Sequence, residues 1–166
     1  MRREKLIILV AVFNLLFILS IKAEVKLPAI ISSNMVLQHD ADVVLWGWAE
    51  AGEKVTVKTT WLEQAMNIKT GKNGTWNIRL KTTNSKEPHT ITIKSKTSDI
   101  ILDNVLFGEV WICSGQSNME WPLLKTEEGY DETAGARNNN IRLLDLERDY
   151  SFEPVRPGNI VFNELL

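Results

Sequence analysis

Ser117 follows Gly115 by two residues, in a turn Ser114-Gly115-Gln116-Ser117-Asn118 that leaves a hydrophobic run. A serine so placed can act as the nucleophile of an acyl transfer. Glycine lets the chain reverse tightly without a Cβ clash. The turn is expected to lift Ser117 to the C-terminal end of the preceding strand, where open α/β sheets place their ligands. Its amide would then share the space of its hydroxyl. One residue could attack a carbonyl and help to hold the oxyanion that forms. A bare Gly-x-Ser is weak alone, because a loop serine is ordinarily a solvated turn residue. The apolar run directly ahead of it is what strengthens the catalytic reading.

The residues around Ser117 are candidates for shaping the turn or touching substrate: Gly115, Gln116, Asn118 and Glu120. Asn118 is expected to hydrogen-bond its own backbone, with contact to substrate or bracing of the site as the alternative. Trp111 and Trp121 are read as packing around the turn, with a sugar-stacking platform as the alternative. Cys113, the single cysteine, has no disulfide partner in the chain and no zinc pattern around it. It is read as a small buried apolar residue, and a nucleophilic thiol is the lesser reading. His39 and His89 both precede Ser117 and are read as surface or strand-edge histidines. No metal and no organic cofactor is expected.

The elements that carry this turn begin with short strands. Val43-Val44-Leu45-Trp46-Gly47-Trp48 is apolar, and Ala51-Gly52-Glu53 follows as a turn. Over Lys54–Lys58, Val55 and Val57 alternate with Thr56 and Lys58, so the valines face a core. Residues Ala65–Lys69 repeat the alternation. Lys72-Asn73-Gly74 predicts a hairpin turn, with Thr75–Leu80 as the return strand. His89–Lys94 and Asp99–Leu102 complete the set. Short strands at regular spacing read as a small β-sandwich over residues 24–104.

The pattern changes after Asn104. Val105–Cys113 is mostly apolar on both phases, which predicts a strand buried on both faces, as in a parallel sheet. Thr126–Arg137 reads as a short helix, Asn138–Asn140 as a loop and Ile141–Leu146 as a second strand. Residues 105–166 thus read as the start of an α/β domain. So little sheet cannot cover both faces of a buried strand. The chain therefore reads as truncated, with apolar surface left exposed. The expected fold class is mainly β, a β-sandwich followed by the beginning of an α/β domain.

The 166 residues are 44% hydrophobic and 24% charged, with a net charge of −2. Those values argue against disordered and collagen-like classes. No basic stripe points to nucleic acid. Arg2, Arg3 and Lys5 precede a run from Leu6 to Leu19 that is apolar except at Asn14. Ala23 offers a cleavage site, so residues 1–23 read as a signal peptide. The run falls short of the roughly 20 residues a spanning helix needs. No stable membrane span is expected after cleavage, and an uncleaved anchor is the alternative. The protein is expected to be secreted or periplasmic.

Gly-Gln-Ser-Asn-Met-Glu-Trp-Pro at 115–122, preceded by Gly-Glu-Val-Trp-Ile-Cys-Ser at 108–114, resembles the first block of the sialate O-acetylesterase family in the SGNH hydrolase superfamily. Ser33-Asn34-Met35-Val36-Leu37-Gln38 and Val44-Leu45-Trp46-Gly47-Trp48-Ala49 resemble its N-terminal β-domain. Asn140-Ile141-Arg142-Leu143 resembles the strand after the nucleophile turn. The resemblance covers about Val25 to Leu144. It implies a flavodoxin-like α/β esterase domain with a β-sandwich in front, Ser117 as nucleophile and its amide as first oxyanion donor. It also implies further donors, a Gly and an Asn, and a His in an Asp-x-x-His context, in later blocks that this chain does not contain.

The implied substrate is an O-acetylated sugar. Sialic acid leads, and acetylated xylan or pectin side chains are alternatives. The rival class is a non-catalytic carbohydrate-binding protein, because the sandwich is the only domain whose strands read as complete. A gene fragment without activity is a third reading.

Overall fold

The computed structural model describes residues 24–144 and the backbone of a strand at Asn163–Leu165. The expected signal peptide and most of the tail after Leu144 lie outside the described residues. What is described is mainly β. Strands β1 (Val36–Gln38), β7 (Asp99–Gly108), β6 (His89–Lys94), β3 (Lys54–Thr59) and β4 (Met66–Lys69) form a five-stranded sheet in that order. Strands β2 (Asp42–Trp48) and β5 (Thr75–Lys81) form a separate antiparallel ladder.

Period-two patterning explains the sheet faces. Val55, Val57 and Thr59 of β3 are buried, and Ile91 and Ile93 of β6 match them across the ladder. Leu45 of β2 and Trp76 and Leu80 of β5 join the same hydrophobic cluster, together with Leu102 and Val105 of β7. The two sheets thus share one core, in which each fully buried aliphatic side chain contributes about 1.5–3 kcal/mol. Gly47 is required by a close approach. A Cβ there would stand 2.5 Å from the Lys26 carbonyl oxygen and 2.9 Å from the Trp76 ring. Lys26 and Trp48 exchange backbone hydrogen bonds of 2.8 Å at that point.

Two expectations change. The turn at Lys72-Asn73-Gly74 exists, with Gly74 at φ 73° and Asn73 Oδ1 accepting from the Thr75 amide at 3.2 Å. It does not close a hairpin, however: β4 pairs with β3 and β5 pairs with β2. The turn carries the chain from one sheet to the other. Met66 and Ile68 pack on the core from the five-stranded sheet, whereas Trp76 and Leu80 are buried in it from the β2–β5 ladder.

The second change concerns the strand expected over Val105–Cys113. Val105, Leu106 and Phe107 are buried, but they form the second half of β7, which crosses the Asn104–Val105 junction and stops at Gly108. Asn104 adopts φ 55° and bends the strand. Its first part pairs antiparallel with β6 and its last part pairs parallel with β1. Val110, Trp111 and Ile112 are exposed, Ile112 at 93%, and no strand of the described residues covers them. Cys113 is likewise exposed rather than buried.

Beyond it come two 3₁₀ turns at Ser117–Glu120 and Leu123–Lys125, then helix α1 (Gly129–Gly135) inside the expected helical stretch. Strand β8 (Asn138–Leu143) pairs antiparallel with β9 (Asn163–Leu165). β8 thus takes in the Asn138–Asn140 segment expected as a loop. No helix of the described residues is long and apolar enough to cross a membrane.

Candidate active site

Ser117 and the four residues singled out around it come together on one exposed turn. Gln116 is extended, at φ −101° and ψ −160°, and Ser117 opens the 3₁₀ turn that Glu120 closes. The Met119 amide donates to the Gln116 carbonyl oxygen at 2.9 Å, and the Trp121 amide to that of Asn118 at 3.2 Å. Asn118 therefore shapes the turn through its backbone. Gly115 is needed for space: a Cβ there would lie 2.6 Å from Met119 Cγ. The side chain of Met119 folds back over Gly115 and leaves Ser117 outward.

The following residues stiffen the exit. Pro122 leads into the second turn, where the Lys125 amide donates to the Pro122 carbonyl oxygen at 2.9 Å. The Trp121 indole N–H donates to the Lys125 carbonyl oxygen at 3.4 Å, and Lys125 Nζ lies 5.5 Å from the Trp121 ring centroid. Trp111 is 82% exposed and Trp121 60%. Neither packs the turn shut, contrary to the expected packing role. Residues 109–115 separate β7 from Ser117 without strand structure, so the nucleophile does not stand directly at a strand end as expected.

No hydrogen bond to the Ser117 hydroxyl is found among the described residues, and neither histidine reaches it. His39 lies just beyond β1. Its Nε2 meets Glu109 Oε1 at 2.8 Å and its Nδ1 meets Asp40 Oδ2 at 3.1 Å. The Glu109 contact first, and then the Asp40 contact, raise its pKa above the ordinary histidine value. His39 and Gln38 in turn hold the Glu109 carboxyl below the usual range.

His89 is not a simple surface histidine. Its ring stacks on Phe107 at 4.4 Å and meets the Trp61 edge at 5.3 Å. Burial lowers its pKa. No set of three or more His, Cys, Asp or Glu among the described residues could hold a metal ion.

The link from Gln38 and His39 to Glu109 was not anticipated. Gln38 and Glu109 lie within stretches that carry the family resemblance and His39 directly follows one, but Glu109 is about 70 residues from the other two, and nothing in linear spacing joins them.

No family model matches the chain. It is 32% identical over 110 residues to the sialate O-acetylesterase of Rattus norvegicus, a stretch covering 60% of this chain and 20% of that protein. To the human sialate O-acetylesterase it is 29% identical over 130 residues, covering 72% and 25%. A crystal structure of a carbohydrate acetylesterase from Xanthomonas citri superposes with a TM-score of 0.78 at 25% identity, over 86% of this chain and 33% of that one. By sequence and by fold, then, the relatives are acetylesterases. The chain is similar to the sialate O-acetylesterases over part of their length, and the partial coverage fits an N-terminal portion. The matches span only about a fifth to a quarter of the length of those curated relatives.

Proposed function

We propose that this chain supplies the β-domain and the nucleophile of a secreted or periplasmic carbohydrate O-acetylesterase. The observation that carries the reading is Ser117, set in the Gly115–Pro122 octapeptide and presented outward on a turn whose neighbours leave its hydroxyl unencumbered. The reaction is acyl transfer. Ser117 Oγ attacks the acetyl carbonyl and yields its proton to a base. The sugar hydroxyl leaves with a proton, and an acetyl-serine forms. Water then attacks that ester and releases acetate and free serine. The chemistry requires neither metal nor organic cofactor.

In this reading the base is the His of the family's Asp-x-x-His block, and further oxyanion donors come from its Gly and Asn blocks. None of these is among the described residues. The 166 residues alone are then inactive. The two sheets around one core are read as a β-sandwich, and the segment from Glu109 onward as the opening of a flavodoxin-like SGNH domain. O-acetylated sialic acid is the leading substrate, with acetylated xylan or pectin side chains as alternatives.

The test is acetate release from O-acetylated sialic acid and from acetylated xylan by the product of the whole reading frame. Release is expected, and Ser117→Ala should abolish it with the fold intact. No release on either substrate defeats the enzyme reading. Activity that survives Ser117→Ala defeats the nucleophile assignment.

A further inference from the structure

The parallel ladder between β1 and β7 ends at Gln38 and Gly108. Hydrogen bonding continues past that point through side chains. The His39 amide donates to the Gly108 carbonyl oxygen at 3.0 Å. The Val110 amide donates to Gln38 Oε1 at 3.0 Å, and Gln38 Nε2 donates to Glu109 Oε2 at 3.2 Å. The other carboxylate oxygen, Glu109 Oε1, takes the His39 ring. The Gln38 side chain thus stands in for a peptide unit and adds a step to the sheet. Its own backbone is held from behind, because the buried Thr82 hydroxyl donates to the Gln38 carbonyl oxygen at 2.6 Å.

We infer that Gln38, His39 and Glu109 are positioning residues for Ser117, clamping the root of the nucleophile segment onto the β-domain. The inference rests on Ser117 being the nucleophile. Beyond Val110 the backbone has few fixed points before the 3₁₀ turn, so where the segment leaves the sheet decides where the turn can sit. Displacements on the order of 1 Å at a reacting atom can cost about 100-fold in rate. Chemistry explains the choice of residues. A carboxylate accepts from two neighbours at once, whereas an amide at position 109 has one acceptor oxygen and would set its NH₂ against either the Gln38 NH₂ or the protonated His39 ring. Protonated His39 donates from both ring nitrogens, to Glu109 and Asp40. Neutral His39 can keep only one of these. Lys86 is the remaining charge acting on Glu109.

The experiment is amide-resolved hydrogen exchange and backbone relaxation on the 166-residue chain, which needs no activity. Gln38→Leu and Glu109→Gln should each lower the protection factor of Val110 by about 5–10-fold, the loss of one hydrogen bond. They should also lower the backbone order parameter of Ser117. Val57 and Ile93 in the core should be unchanged.

His39→Ala should do the same, and His39→Arg, which keeps a donor to Glu109 without titrating, should restore it. Wild-type protection, corrected for intrinsic rates, should fall as pH rises through the His39 titration, while His39→Arg stays flat. Unchanged Val110 protection in Glu109→Gln, an exposed substitution that spares the core, overturns the clamp. Loosening of Val110 without loosening of Ser117 overturns the positioning role. Either result leaves the Ser117→Ala test of the nucleophile untouched, and failure of that test leaves the clamp measurable.

Discussion

The Asn104 side-chain amide donates to Asn34 Oδ1 at 2.7 Å, and both residues hold a left-handed backbone, at φ 55° and 67°. The pair sits where β7 leaves β6 and takes β1 as its partner. Next to it the Asn34 amide donates to the Asp103 carbonyl oxygen at 3.0 Å, and the Leu106 amide to that of Met35 at 3.1 Å. Asparagine tolerates the left-handed region better than other side chains do. Asn104→Ala should therefore cost about 2 kcal/mol, from roughly 1–2 kcal/mol of backbone strain and a lost hydrogen bond of about 1 kcal/mol. Asn104→Gly should cost less, since it relieves the strain. Urea melts of the three proteins decide the point, and equal costs for Ala and Gly would exclude the backbone as the cause.

A second prediction concerns where the β-domain ends. Residues 24–108 should unfold cooperatively as an isolated piece, and residues 24–104 should not. Ending at Asn104 removes Val105, Leu106 and Phe107, all buried. Three such side chains represent about 4.5–9 kcal/mol of burial. That is comparable with the whole stability of a small domain, about 5–15 kcal/mol. Circular dichroism melts of the two pieces make the comparison. A cooperative melt for residues 24–104 would show that β7 past Asn104 is dispensable.

The two histidines should titrate on opposite sides of the ordinary value. His39, braced by Glu109 and then Asp40, should titrate above it. His89, desolvated against Trp61 and Phe107, should titrate below it. The stability consequences have opposite signs. The raised His39 favours the fold below its unfolded pKa and loses that contribution as pH rises through its folded pKa. The lowered His89 favours the fold above its unfolded pKa and loses that contribution as pH falls toward its folded pKa. Imidazole NMR resolves both, and Glu109→Gln should return His39 toward the ordinary value while leaving His89 in place. A common midpoint for the two rings would refute both environments.

Much of this was legible in the sequence, for physical reasons that also mark its limits. Val55 and Val57 against Thr56 and Lys58 identify β3 because burial on one face imposes a period of two. Asn73-Gly74 identifies a turn because the backbone there needs a positive φ. The pairing across that turn was not legible. Local chemistry sets the turn, whereas the partners are set by tertiary pairing, which packs Met66 on the core from one sheet and Trp76 from the other.

Asn104 misled in the opposite direction. A residue typical of turns suggested a boundary, yet it bends a continuous strand whose length is fixed by partners as far away as Val36 and His89. The apolar run to Cys113 predicted burial, because composition reports what a segment would bury and not whether a neighbour is present to cover it. At the site, Gly115 and Ser117 were legible as a turn because their chemistry is local. The Gln38–Glu109 contact was not, since only the fold brings those positions together.

The last prediction concerns activity. The 166-residue chain alone should hydrolyse p-nitrophenyl acetate no faster than background. Ser117 has a free hydroxyl but, among the described residues, no base bonded to it, and an unassisted serine hydroxyl is a poor nucleophile at neutral pH. A serine hydrolase that loses a triad member keeps only roughly 10³–10⁴-fold over water, much of it from the oxyanion hole. In the proposed reading the described residues supply that hole with the Ser117 amide alone, and each donor still to be supplied is worth about 10²–10³-fold. His39 is engaged by Glu109 and Asp40, and His89 is packed on Phe107, so neither is placed to substitute. Initial rates for the chain, for Ser117→Ala and for buffer should coincide. Turnover by the chain that Ser117→Ala stops would mean that a base does reach Ser117 within these residues. His39→Ala and His89→Ala would then identify which ring supplies it.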